Sequence, residues 1–163
     1  KEMDKKSRLL WSALIPFGYL IYVAGVDFIF SLPIPYIGDK LEAYQTLRDQ
    51  GVIGDEINVF NAILLVTIAA FYYCMYFYDT IAQRFKYLPL VLKMTGISIF
   101  LFVTLAFLPI LAYRLYALYG IANILLFTGI YYTIKPDWLA KSVVGTVGLC
   151  LFCINVFFTK LLE

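Results

Sequence analysis

Histidine is missing from this 163-residue chain, and charged residues are scarce. Asp, Glu, Lys and Arg make up 15% of the sequence, whereas soluble domains carry about 25%. The absence of histidine excludes catalysis that depends on an imidazole. The sequence also shows no Ser–His–Asp set, no glycine-rich phosphate-binding loop and no carboxylates at metal-ligand spacing. We therefore expect the chain to use neither a metal ion nor another cofactor.

Cysteine is rare as well, and Cys74, Cys150 and Cys153 all lie in apolar stretches. The last two form a C-x-x-C pattern. Zinc would need further ligands, and no histidine is present to supply them. We expect Cys150 and Cys153 to act as small apolar packing residues on one face of a helix.

Long apolar runs dominate what remains, since 63% of the residues are hydrophobic. A helix needs about 20 apolar residues to cross about 30 Å of hydrocarbon. When the sequence is divided at its charges and prolines, it predicts an all-α, polytopic integral membrane protein with a single membrane domain over residues 1–163. The predicted transmembrane helices, about five, cover residues 9–32, 59–78, 94–112, 115–134 and 142–159.

The basic residues predict the orientation, because Lys and Arg accumulate on the cytoplasmic side. A cytoplasmic N-terminus and an outer C-terminus leave most of the 13 basic residues inside. The inner residues are Lys1, Lys5, Lys6, Arg8, Arg84, Lys86, Lys93, Lys135 and Lys141, and the outer ones are Lys40, Arg48, Arg114 and Lys160. Because these residues mark the ends of loops and form no patch, the net charge of +2 does not indicate nucleic-acid binding.

The outer loop between the first two spans contains the sequence DKLEAYQTLRDQG, residues 39–51. Asp39 and Glu42 have capping-box spacing and Gly51 follows as a stop signal, which predicts a short amphipathic helix. Its apolar face favours packing on the membrane surface. Arg48 would then face the outer water. The other interpretation is a ligand site that includes Arg48.

One charge, Arg114, interrupts the apolar run 94–134. That run is too long for one crossing, so we expect a hairpin with Arg114 at its outer turn and a kink at Pro109 just before it. Asp27 is expected near the same boundary. Three interpretations remain open: an Asp27–Arg114 ion pair that joins two helices, a polar pocket that both residues line, or an Arg114 that extends into the lipid headgroups.

An arginine presents a planar fork that suits phosphate or carboxylate. The tyrosines around Arg114 would suit a ligand with both a phosphate and flat apolar or sugar faces, although lipid headgroups fit equally well. These tyrosines are Tyr113, Tyr116 and Tyr119. At the start of the second span, Asn58 and Asn61 would either bind sugar hydroxyls or cap the helix, and capping is the role we expect for Asn58.

Three segments together resemble the C-terminal half of EpsG-family, Wzy-like polysaccharide polymerases, which make O-antigen or exopolysaccharide in bacterial envelopes. They are the outer loop KLEAYQTLRDQGVIGDEINVFN, the aromatic-rich helix after it, and YLPLVLKMTGISIFLFVTLAFLPILAYRLYALYGIANILLF. The motif INVFN at 57–61 and the arrangement of Pro109, Arg114 and Gly120 carry most of the likeness.

The resemblance implies a multi-pass enzyme of the bacterial inner membrane and predicts that this chain is the C-terminal part of a longer polymerase. Such enzymes are metal-independent glycosyltransferases that join repeat units carried on undecaprenyl pyrophosphate at the periplasmic face, alongside other polysaccharide assembly proteins. Arg114 corresponds to an arginine that holds the pyrophosphate. Asp27 would accept the proton of the acceptor hydroxyl. The alternatives are a polysaccharide or lipid-carrier transporter component and a non-enzymatic membrane scaffold.

Overall fold

The computed structural model of the chain describes residues 3–24, residue 46 and residues 57–158, and every regular element in these ranges is an α-helix. The predicted all-α class is therefore confirmed for the described residues. Asp27, Arg48 and the predicted loop helix, apart from residue 46, lie outside them. The helices are α1 (Lys5–Ala24), α2 (Ala62–Tyr76), α3 (Tyr78–Ala82), α4 (Leu88–Thr104), α5 (Pro109–Leu118), α6 (Gly120–Tyr131) and α7 (Asp137–Phe158).

The chain reverses direction after α4 at residues 105–108, where the backbone N–H of Leu108 donates to the carbonyl of Leu105 at 2.8 Å. This differs from the predicted hairpin, which placed Arg114 at the turn and a kink at Pro109 before it. Pro109 instead begins the returning helix α5, where its missing N–H would have no intrahelical partner anyway. Arg114 consequently lies inside α5, and a second break at Tyr119 bends α6 by 52° from α5.

Helices α1 and α2 run antiparallel. Arg8, near the start of α1, contacts Asp79 just beyond the end of α2. Farther along α1, the Tyr19 hydroxyl donates to the carbonyl of Val59, just before α2, at 2.9 Å. These two contacts fix the helices at both ends.

Helix α4 runs antiparallel to the bent pair α5–α6. Leu88, at the start of α4, lies beside Gly129 near the end of α6. Phe102, near the end of α4, packs against Tyr116 of α5 with ring centroids 4.9 Å apart. Gly129 also allows α6 to approach α2, because a Cβ atom there would be 3.3 Å from the Cys74 sulfur.

The core lies where α2, α4 and α6 meet, and α1 packs along α4. Small residues allow the close approach on that side as well, since Gly18 of α1 lies against Phe100 of α4. The largest fully buried apolar side chains are Phe71, Leu64, Ile81, Leu88, Leu92, Ile99 and Leu126.

Among the described residues, only α1 is by itself long and apolar enough to cross a membrane, and α5 and α6 meet the same test when taken as one bent span. Helices α2 and α4 are apolar but have 15 and 17 residues. Only 11% of the most apolar part of α1 is buried inside the chain. Many of its apolar side chains therefore face outward, as shown by Leu10 at 69% and Val23 at 79% exposure.

Candidate functional site

The segment before α2 and the turn after α4 meet at one end of the helical bundle. The backbone N–H of Ile57 donates to the carbonyl of Ala106 at 3.2 Å. Because α5 starts from this turn, Arg114 lies at the same end as Asn58 and Asn61. We call this region, formed by residues 57–61, the 105–108 turn and α5, the Arg114 end.

Both asparagines at this end bind backbone groups. The Asn61 side-chain oxygen accepts the N–H of Leu64 at 2.8 Å and makes Asn61 the N-cap of α2. The Asn58 side-chain oxygen accepts the N–H of Phe60 at 2.9 Å and closes the preceding turn. The expectation that Asn58 is the cap is wrong, because α2 begins at Ala62 and only Asn61 directly precedes it.

Helix α5 carries Arg114 on its outside. The Arg114 side chain is exposed and makes no hydrogen bond or ion pair within the described ranges 3–24 and 57–158. Its neighbour Tyr113 is 55% exposed and rests edge-on against Phe102, with ring centroids 5.6 Å apart. Among the described residues, no side chain occupies the guanidinium donors, and Tyr113 is the next residue on the same helix.

The other two tyrosines occupy different positions. Tyr116 turns inward, packs against Phe102 and brings its hydroxyl close to the side chains of Thr67 and Asn123. Tyr119 lies partly buried at the break between α5 and α6. The three tyrosines thus share one short segment with Arg114 but do not surround it.

Sequence reasoning missed a group of polar side chains inside the bundle, which we call the inner polar cluster: Thr67, Thr95, Ser98, Tyr116 and Asn123. All except Tyr116 are at least nine-tenths buried. Among the described residues, the hydroxyl groups of Thr95 and Ser98 and both side-chain amide atoms of Asn123 have no hydrogen-bond partner. The sequence signal was the pair of hydroxyl residues, one helical turn apart, in an otherwise apolar stretch.

A second missed feature lies at the opposite end of the bundle. The Arg8 guanidinium donates to both carboxylate oxygens of Asp79, at 2.9 and 2.5 Å, and lies 4.2 Å from the centre of the Tyr78 ring. The Tyr78 hydroxyl in turn accepts the backbone N–H of Met3 at 3.0 Å. The hydrogen bonds from Arg8 hold the pKa of the Asp79 carboxyl below its ordinary value. Because Arg8 and Asp79 neutralise each other, this arrangement serves to attach α1 to α3.

The cysteines do not form a ligand set. The thiol of Cys74 is fully buried and donates to the carbonyl oxygen of Leu126 at 3.6 Å. Cys150 is exposed and Cys153 is half-buried, and neither forms a disulfide. In the described part of the chain, no three His, Cys, Asp or Glu side chains come together in a way that would hold a metal ion.

No protein-family model, curated protein or solved structure matches this chain.

Proposed function

We propose that this chain is part of an envelope polysaccharide polymerase that joins repeat units carried on undecaprenyl pyrophosphate. The supporting observation is the position of Arg114. It is exposed at one end of the bundle, it has no ion-pair partner in the described residues, and Tyr113 lies next to it. A guanidinium without an ion-pair partner among the described residues has a fork that suits a phosphate.

The membrane placement is part of the same proposal. Five passes with the N-terminus in the cytoplasm would put the Arg114 end at the outer face of the bacterial inner membrane. The alternating directions of α1, α2, α4 and α5–α6 support this order of crossings. The outward-facing apolar side chains of α1 support a lipid environment, because soluble proteins seldom expose apolar patches of that extent.

The chemistry requires a group that stabilises the departing pyrophosphate. When the sugar is transferred, negative charge grows on the leaving phosphate oxygens. A positioned arginine stabilises that charge more in the transition state than in the ground state, because the charge on the leaving oxygens is larger in the transition state. Asp27 remains the proposed proton acceptor, and its position lies outside the described residues.

The test compares Arg114→Ala with Arg114→Lys and with Arg84→Ala, which removes another exposed arginine. Membranes containing each variant are supplied with lipid-linked repeat units, and product length is read on a gel. We expect Arg114→Ala to abolish long chains, Arg114→Lys to restore them in part, and Arg84→Ala to leave them normal. Long chains from Arg114→Ala at normal protein levels would refute the proposal.

Two other results would replace the polymerase proposal with a different function. Repeat units that accumulate on the cytoplasmic side in the Arg114→Ala strain would identify a transporter component. A charge swap between Asp27 and Arg114 that restores full chain length would identify a structural ion pair in a scaffold, because a catalytic pair does not tolerate exchange of its roles.

A further inference from the structure

Two hydroxyl groups of α4 do not use the acceptors that their own helix offers. In the described helices, Thr67, Thr104 and Thr128 each donate to a carbonyl three or four residues earlier, at 2.7–2.9 Å. Thr95 and Ser98 are fully buried and make no such bond. Their hydroxyls therefore point away from their own backbone, although back-bonding is available to both. We call these two residues the α4 hydroxyl pair.

The α4 hydroxyl pair faces α5 and α6. It lies between Leu88 and Phe102 at the three- and four-residue spacing that defines one face of a helix. Leu88 meets Gly129 of α6, and Phe102 meets Tyr116 of α5. The helical spacing therefore places the pair in the space between α4 and the α5–α6 segment.

Asn123 approaches that space from α6. It is 7% exposed and lies on the buried side of α6, one turn before Leu126. Its side-chain amide oxygen and nitrogen both lack hydrogen-bond partners in the part of the chain that the structure describes. The Tyr116 hydroxyl approaches Asn123 and Thr67, but it makes no hydrogen bond with Asn123.

The unpartnered atoms determine which ligand fits. A buried polar group without a partner costs free energy, and native proteins rarely leave several together. Two hydroxyls and one amide offer donors and acceptors in similar numbers and carry no charge. A cation would leave the amide N–H groups unpaired, and an anion would leave the acceptors unpaired. A hydroxyl oxygen both donates and accepts, and so it satisfies both kinds of atom.

We propose that the inner polar cluster binds a hydroxyl oxygen, from a water molecule or from a sugar, which bridges α4 and α6. The cluster adjoins the Arg114 end and extends from it into the bundle. Thr67 is six residues, or about 9 Å, along α2 from its N-cap Asn61. Tyr116 contacts both the cluster and Phe102. The sugar source rests on the proposed function, whereas the water source does not.

The experiment measures thermal unfolding of the full chain in detergent. Cys150→Ser and Cys153→Ser leave buried Cys74 as the one thiol that a fluorogenic maleimide can label, and labelling then reports unfolding. In this background, Thr95→Val and Asn123→Leu remove polar atoms at similar volume. Thr128→Val is the matched control, because its hydroxyl is exposed and bonded within its own helix. Thr95→Ser keeps the hydroxyl group.

Without any added sugar, we expect Thr95→Val and Asn123→Leu each to lower Tm by about 2–4 °C, the shift that the loss of one bridging interaction produces in a chain of this size. Thr95→Ser should recover most of the loss, and Thr128→Val should change Tm less. This result identifies water as the resident oxygen. If glucose or N-acetylglucosamine raises Tm in the parent chain and fails to do so in Asn123→Leu, the oxygen belongs to a sugar.

The proposal is overturned if Thr95→Val and Asn123→Leu melt at or above the parent temperature with and without the sugars. The cluster would then be an unoccupied polar site that apolar side chains improve. This outcome is separable from failure of the proposed function, because polymer length in Arg114→Ala is measured independently. If Arg114→Ala makes normal polymer and the expected melting shifts are seen, the polymerase proposal is refuted and the proposed hydroxyl site is retained.

Discussion

Arg114 and Tyr116 lie two residues apart on α5 and point to different surroundings. Tyr116 packs against Phe102 and anchors α5 to α4, whereas Arg114 is exposed. The helical spacing that turns one side chain inward turns the other outward. The contact of Tyr116 with the core therefore holds the guanidinium of Arg114 on the outside of the bundle.

Asn61 should stabilise the protein as the N-cap of α2. We expect Asn61→Ala to lower the free energy of unfolding by about 0.5–2 kcal/mol, because the N–H of Leu64 loses its acceptor. Asn61→Asp keeps an oxygen at that position and should retain most of the stability. Unfolding in detergent, followed by circular dichroism, measures both. Equal stability of Asn61→Ala and the parent would contradict the capping role.

Gly129 should not tolerate a larger side chain. A Cβ atom there already meets the Cys74 sulfur at 3.3 Å, so Gly129→Leu must push α6 away from α2. We expect a loss of about 1–3 kcal/mol from overpacking. Gly120→Leu is the control, since a Cβ at Gly120 meets nothing within 4 Å. Similar losses in the two variants would show that the close approach to Cys74 is not the reason for a glycine at position 129.

Leu92 and Leu90 offer a matched pair on α4. Leu92 is fully buried and Leu90 is 57% exposed. We expect Leu92→Ala to cost about 2–5 kcal/mol through lost contacts and a residual cavity. Leu90→Ala should cost much less, because its side chain leaves no cavity. If denaturation curves show the reverse order, the helix is rotated relative to this structure.

The Arg8–Asp79 pair should make stability depend on pH in acid. Because the folded-state pKa of Asp79 lies below its ordinary value of 3.8, the contribution of the pair is complete above that value. It is lost as the pH falls through the lower, folded-state pKa. We expect Asp79→Asn to melt below the parent at neutral pH and to approach it in strong acid. The Asp79 side chain is 74% exposed, so the difference should be small and should shrink with added salt.

A Tm measured for both proteins across this pH range checks the prediction. Lys86→Gln is a control, because it removes an exposed charge near the same end of the bundle without breaking this pair. A difference between Asp79→Asn and the parent that grows toward low pH would contradict the assigned sign.

Local sequence signals predicted some helix boundaries correctly and others wrongly. Pro109 marks a boundary in the sequence, but a proline either kinks a helix or begins one. Which of these occurs depends on where the previous helix stops. Residues on both sides of the 105–108 turn are similarly apolar, so composition did not show where α4 ends. For the same reason, Asn58 was predicted as the cap of α2 and Asn61 is the observed one, since the first helical residue defines the cap.

The sequence by itself determined that the described chain is helical and apolar, because its hydrophobic residues occur in long runs and few charges or turn residues interrupt them. It also singled out Arg114, the one charge in the run 94–134. Only the tertiary structure decided which side chains meet. Arg8 and Asp79 are 71 residues apart in sequence, and Gly129 meets Leu88 only because α6 packs against α4. Such contacts depend on how the helices are rotated and inclined against one another, and the packing of many side chains together sets that geometry.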